Sequence, residues 1–269
     1  MSIAKNFQQR RLTAVSRRFR YFMSRLFGSR LQKSQNVFLV QANGARFKRI
    51  ILHDSYLASQ IEEAMALFGP SPNMPGFVTR YEHEIWVDFV PGEQPNPADP
   101  SLIADLAYFY AGIYSRSPRE ILASDSFWIR QVVRDLEFLS QVGILTAGIA
   151  NDLNGKALDL MPEKLLVGFD YNDPVLKNFI RTKDGSLCGI DVESLVTEEL
   201  LGLGVAKALA RWMEPHREAF LDAYGLTAAP DFRSYFEFVE LVHLAAYTKL
   251  MFIEQKWANV DAARFERFV

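Results

Sequence analysis

The stretch Asp170-Tyr171-Asn172-Asp173-Pro174-Val175-Leu176-Lys177-Asn178-Phe179-Ile180 is the most informative in the chain, together with Gly185-Ser186-Leu187-Cys188-Gly189-Ile190-Asp191-Val192-Glu193 close behind it. Asp173, Asn178 and Asp191 are separated by five and thirteen positions. Between the last two, Phe179–Arg181 and Leu187–Ile190 read as short extended pieces joined by a Lys183-Asp184-Gly185 turn. Such a hairpin folds back and can bring Asn178 near Asp191. A carboxylate and an amide oxygen there suit a hard divalent cation with octahedral oxygen coordination. Asp173 is left to orient a hydroxyl for attack. Isolated Asp and Asn in turns are the bland alternative.

Outward from this stretch the chain changes character twice. Upstream, Val37–Gln41 and Arg46–Leu52 are strand candidates around an Ala42-Asn43-Gly44 turn. A helix is expected from about Ser55 to Phe68, presenting Leu57, Ile61, Ala64, Met65 and Phe68 and ended by Pro70, Pro72 and Pro75. Two more strands, Phe77–Tyr81 and Ile85–Phe89, stop at Pro91-Gly92. Beyond Pro100 the pattern is mostly helical, with helices expected over Ser101–Tyr114, Phe127–Leu145, Gly202–Trp212 and Tyr235–Lys256, and Leu165–Phe169 reading as strand.

With 269 residues, 49% hydrophobic and 23% charged, the chain can bury a large core, which argues against wholesale disorder. One cysteine, Cys188, excludes an intrachain disulfide and a cysteine zinc cluster. No apolar run approaches the roughly 20 residues a bilayer crossing needs, and a reducing, cytoplasmic setting is the expectation. Charge is unevenly spread: 12 Lys and Arg precede the first acid, Asp54, and the remainder carries a net −14. Residues 1–33 read as a basic amphipathic helix with Leu12, Val15, Phe19, Phe22 and Leu26 on one face. That helix could dock on protein, lie peripherally on an anionic membrane, or serve nucleic-acid binding or organelle targeting. A basic nucleic-acid adaptor ranks below the other readings, since only the first 53 residues favour it.

The Asp173–Asn178–Asp191 pattern resembles the catalytic loop and metal-binding Asp of the protein-kinase-like superfamily. The resemblance is to its small-molecule phosphotransferase branch, which includes aminoglycoside and choline phosphotransferases and lipopolysaccharide-kinase-like enzymes; Ile190-Asp191-Val192-Glu193 is similar to the setting of the last Asp there. The resemblance implies an α+β, two-lobed protein-kinase-like fold, with a small strand-rich N-lobe and a mainly helical C-lobe. It divides the chain into a basic extension (1–34), an N-lobe and hinge (35–93) and a C-lobe with the catalytic loop (94–269). It implies Asp173 as catalytic carboxylate, Asn178 and Asp191 as Mg2+ ligands, and ATP as the nucleotide. Val87-Asp88-Phe89-Val90-Pro91-Gly92-Glu93 resembles the hinge, placing Asp88 and Val90 against adenine. Lys48 would be the phosphate-binding lysine, with Glu63 or Glu62 as its helix partner, although a solvated basic strand explains Lys48 next to Arg46 and Arg49 nearly as well. The implied activity is an ATP- and Mg2+-dependent transfer to a hydroxyl of a small-molecule, sugar or lipid-linked acceptor.

Departures from the pattern define the rivals. No glycine-rich loop precedes Val37, and Tyr171 stands where the family commonly has His. Both favour a catalytically weak, kinase-like nucleotide-binding or scaffold protein. No long activation segment precedes Gly202-Leu203-Gly204, which counts against a protein kinase. His53, His83, His216 and His243 share no ligand spacing and read as surface or structural residues; Cys188, Trp86 and Trp212 read as packing residues. Glu193, two positions past Asp191, is a candidate to orient water or a helix end.

Overall fold

A computed structural model describes residues 8–11 and 36–269. The chain forms two compact units, one built from the described residues up to Pro95 together with Lys177–Leu195, the other from Asn96–Leu176 and Val196–Val269. The hairpin between Asn178 and Asp191 therefore belongs with the N-terminal sheet, whereas the sequence places it in a contiguous C-terminal lobe.

The first unit is an antiparallel sheet with one helix on it. Its strands are β1 (Gln8–Arg11), β2 (Asn36–Ala42), β3 (Ala45–Ile51), β4 (Phe77–Tyr81) and β5 (Glu84–Asp88), in the order β1-β2-β3-β5-β4. Gln8–Arg11 is thus strand, paired Gln8↔Gln41 to Arg11↔Phe38, where the sequence reading has helix. These four residues are all polar and precede the apolar stripe that starts at Leu12, so nothing in them favours a helix over backbone pairing with β2. The other residues of the expected 1–33 helix lie outside the described ones. Helix α1 (Ser55–Phe68) starts where Asp54 accepts a 2.7 Å bond from Leu57 N and ends at Gly69. It buries Ala58, Ile61, Ala64, Met65 and Phe68, an i, i+3, i+4 stripe. The chain leaves β5 through Gly92, whose added Cβ would stand 2.2 Å from Arg181 O. Only glycine permits the antiparallel bridge Glu93↔Arg181 that ties this exit to the hairpin of β8 (Phe179–Arg181) and β9 (Leu187–Gly189).

The second unit is mainly helical. Helices α2 (Leu102–Tyr114), α3 (Phe127–Gln141), α4 (Ala147–Leu160), α5 (Leu203–Ala208), α6 (Arg217–Gly225) and α7 (Phe236–Ile253) accompany a small sheet. That sheet orders β10 (Leu195–Leu200), β7 (Lys164–Tyr171) and β6 (Arg119–Leu122) side by side. Helix α2 is buried on nearly all sides because Tyr110 and Tyr114 turn inward with Phe109 and Ile113. Around them Phe220, Tyr224, Phe232 and Phe236 pack largely edge to face, with centroids 4.8–6.2 Å apart. Helix α5 continues into a π-helical turn, Leu209–Met213, a local widening often found where side chains must be re-aimed. Among the described residues no helix is long and apolar enough to cross a membrane.

Candidate active site

In the first unit the strand period decides which basic residue of β3 turns inward. Lys48 shares a face with Ile50, which is 2% exposed, while Arg49 faces the other way. There Arg49 pairs with Glu84 and lies over Phe38 and Trp86, and this contact holds the Glu84 carboxyl below its usual range. Lys48 instead sends its ammonium 2.5 Å to the carbonyl of Ile190. That bond reaches the residue before Asp191. Glu62 pairs with Arg80 at 2.5 Å, and Glu63 is exposed on α1, with no hydrogen bond or ion pair among the described residues. Neither acid is brought to Lys48. The α1 stripe explains this: Ala64 and Met65 take the inward positions, which turns Glu63 to solvent.

The hairpin carries Asn178 and Asp191 to one place. Ile190 N donates to Asn178 O at 2.8 Å, closing the ladder. The side chains follow: Asp191 Oδ2 accepts from Asn178 Nδ2 at 3.3 Å and from Ser194 Oγ at 2.9 Å. Gly189 N donates to Asn73 O, fastening the hairpin to the loop after α1. Cys188 is buried here, and burial pushes its thiol up to about 12 although Lys48 opposes the shift. On β5, Asp88 is exposed, with its carboxylate against Gly76. Val90 enters no backbone hydrogen bond among the described residues. No group of three or more His, Cys, Asp or Glu side chains able to hold a metal ion occurs among the described residues. Two protein oxygens with substrate phosphates and waters is nonetheless how Mg2+ is commonly held, so Asn178 and Asp191 fit that ion.

In the second unit Asp173 pairs with Arg211 of the π turn, Nη1 to Oδ1 at 2.5 Å. Trp212, next along, donates from Nε1 to Pro174 O at 2.9 Å. Three positions before Asp173, the fully buried Asp170 holds the end of β7. Its carboxylate accepts from Tyr171 N (2.7 Å), Gly204 N (2.6 Å) and Tyr114 Oη (3.0 Å). Tyr114 Oη accepts from Gly202 N, and Tyr110 Oη donates to Tyr171 O at 3.2 Å. Burial raises the Asp170 carboxyl to about 7 against these donors. Burial also lowers Lys207, near Asp170 and Glu199. The sequence reading passed over Asp170, Arg211 and Tyr114. Asp170 had a signal, an acid inside a run of strand residues, but its partners lie 34 and 56 positions away.

Neither a family model nor a curated protein matches the sequence. Solved structures do match its shape. Macrolide 2'-phosphotransferase type I is 11% identical, with 97% of this chain and 99% of that one covered at a TM-score of 0.59. Macrolide 2'-phosphotransferase MphH from Brachybacterium faecium is also 11% identical, covering 87% and 88% at 0.62. The chain has the protein-kinase-like fold. Choline kinase LicA from Streptococcus pneumoniae extends the likeness at 12% identity, covering 94% and 96% at 0.57, and a second LicA structure, in complex with AMP, gives 0.53. The kinase-like fold is thus shared with small-molecule phosphotransferases, as the resemblance of the Asp173–Asn178–Asp191 pattern implied.

Proposed function

We propose that this protein is an ATP- and Mg2+-dependent phosphotransferase acting on a hydroxyl of a small-molecule, sugar or lipid-linked acceptor. The observation that carries the reading is the 3.3 Å contact of Asn178 with Asp191, beside a Lys48 bound to Ile190 O, in a kinase-like fold. Asn178 and Asp191 would hold the ion, which when bound supplies positive charge to the phosphates. Lys48 adds a second positive charge from the same sheet. The unused N–H and C=O of Val90, one strand over, suit the edge of an adenine, and LicA's complex with AMP supports a nucleotide ligand. Asp173 would direct the acceptor hydroxyl and take its proton late in transfer. Its bond to Arg211 fixes the direction of the carboxylate.

The test compares Asp173→Asn with Asp191→Asn. Asp191→Asn is expected to weaken Mg2+–nucleotide binding more than adenosine binding. Asp173→Asn should leave nucleotide affinity nearly intact and remove single-turnover transfer. Equal loss of both ligands in Asp191→Asn, or undiminished transfer in Asp173→Asn, refutes the corresponding role. Exposure of Glu63 away from Lys48 favours a second reading, a nucleotide-binding protein of little catalytic power. Mg2+-dependent nucleotide affinity without acceptor-dependent ATP consumption is its signature.

A further inference from the structure

A cavity of about 210 Å³ lies in the second unit, among α5 with its π turn, α7 and the C-terminal segment. Its charged lining is Arg217, Arg264, Arg267, Glu214, Glu240 and His243. Glu240 is buried and already doubly neutralised, accepting from Arg217 at 2.9 Å through Oε2 and pairing with Arg267 at 3.3 Å through Oε1. Glu214 is exposed, where water screens it. Each guanidinium carries five N–H donors. Arg264 places one at 3.4 Å from Ala210 O, and Arg267 commits one to Glu240. The imidazole of His243 makes no hydrogen bond among the described residues. Burial first, and then the cations Lys207, Arg264 and Arg211, lower its imidazole to about 3. Arg217 is taken up by Glu240 and Glu218, which leaves the remaining guanidinium donors of Arg264 and Arg267 to a space smaller than ordinary small-molecule pockets.

We propose that this cavity binds a small oxyanion, a phosphate or carboxylate group, held by Arg264 and Arg267 with His243 as a further partner. Guanidinium forks match such groups with paired charge-assisted bonds. The cavity is lined by Ala206, Leu209 and Ala210, whereas Lys207 and Arg211 stand about 100° around the same helix. Arg211 is the residue bound to Asp173. An anion in the cavity thus lies against the same helical segment whose Arg211 orients Asp173.

Inorganic phosphate is the probe, titrated calorimetrically into the full chain without nucleotide or metal, against chloride at equal ionic strength. Wild type and Lys48→Gln should bind phosphate equally, which separates this site from the proposed nucleotide site, where Lys48 carries the positive charge. Arg264→Gln and Arg267→Gln should each weaken binding at least tenfold while keeping the wild-type circular dichroism spectrum. No phosphate-specific heat in wild type, or unweakened binding in both arginine variants, overturns the proposal. Loss of phosphate binding in Lys48→Gln overturns it too, because the anion then belongs to the other unit. Glycerol 3-phosphate distinguishes the source of the group. Binding at least tenfold tighter than phosphate supports the site as one for phosphorylated hydroxyl compounds, and equal binding supports it as one for the free ion.

Discussion

Asp170 makes the folded state of this protein sensitive to pH near neutrality. Its carboxyl is fully buried and titrates at about 7, against 3.8 for an ordinary Asp. Between those values the folded chain keeps a proton that the unfolded chain has lost. Stability contributed by this group is therefore fully present below pH 3.8 and declines as pH rises, levelling off above 7. A shift of about three units at about 1.4 kcal/mol each sets the full decline at about 4 kcal/mol. Asp170→Asn cannot ionise and should lack this slope. Like the protonated acid, it carries a donor on one of its two terminal atoms, so either Gly204 N–H or Tyr171 N–H meets a hydrogen, a cost that does not vary with pH in the variant. Urea unfolding of both proteins from pH 5 to 8 gives the difference, in which every other titrating group cancels. Wild type should lose about 2–3 kcal/mol relative to Asp170→Asn between pH 5 and pH 7. A difference constant to within about 0.5 kcal/mol over that range would show that the three donors outweigh burial and that Asp170 is ionised throughout.

Four further outcomes are expected. Arg211→Ala should change stability by less than about 1 kcal/mol, because both members of its pair with Asp173 are more than a third exposed; transfer in a single turnover should fall roughly 10- to 100-fold, and an unchanged rate would deny Arg211 an orienting role. Gly204→Ala would set a Cβ 2.5 Å from both Asp170 Oδ1 and Tyr171 O, and should cost about 3 kcal/mol; an unaltered melting temperature would contradict that approach. Cys188, with its thiol pushed up to about 12 by burial, should resist iodoacetamide at pH 8 until urea unfolds the chain, and rapid labelling of native protein would contradict its placement. If the apolar face of residues 1–33 meets lipid, the intact chain should sediment with anionic vesicles and a chain lacking them should not; failure of the intact chain to bind removes the membrane version.

Much of the first unit was legible because its signals are local. An i, i+3, i+4 stripe ended by Pro70 marks α1, and the Ala42-Asn43-Gly44 turn joins β2 to β3. The hairpin joining Asn178 to Asp191 was equally readable, since a Lys-Asp-Gly turn sets both strands. The same α1 stripe bears on Glu63: with Ala64 and Met65 turned inward, Glu63 faces solvent, so helix phase and a pairing with Lys48 pulled in different directions. In the second unit α4 and α6 left weak patterns, with Gly148, Asn151, Asn154 and Gly155 breaking up the first. Helix α3 ends at Gln141 rather than Leu145 because Gly143 takes φ 76°, which turns the chain out of the helix. Arg211 could not be assigned at all. Its target lies 38 positions away, and a π turn re-aims it.

Tyr171 stands where kinase-like enzymes commonly place His, and the sequence left open how the loop is held without that polar side chain. The side chain of Tyr171 is buried against Phe109, ring centroids 5.3 Å apart. Its backbone supplies the polar contacts instead: N–H to Asp170, C=O to Tyr110. Asp170 then reaches Gly204 N inside the N-terminal turn of α5, where backbone donors lack helical partners. A carboxylate is favoured there by those donors and opposed by burial, which is why the group titrates near neutrality. Beyond Asp173 the loop is tied again, by Trp212 to Pro174 O and by Arg211 to Asp173 itself. The loop is thus anchored on both sides of Asp173 by the same continuous segment, Gly202 to Trp212. Fixing a carboxylate's direction requires such anchors more than it requires a histidine, so Tyr171 does not weigh against the catalytic role proposed for Asp173.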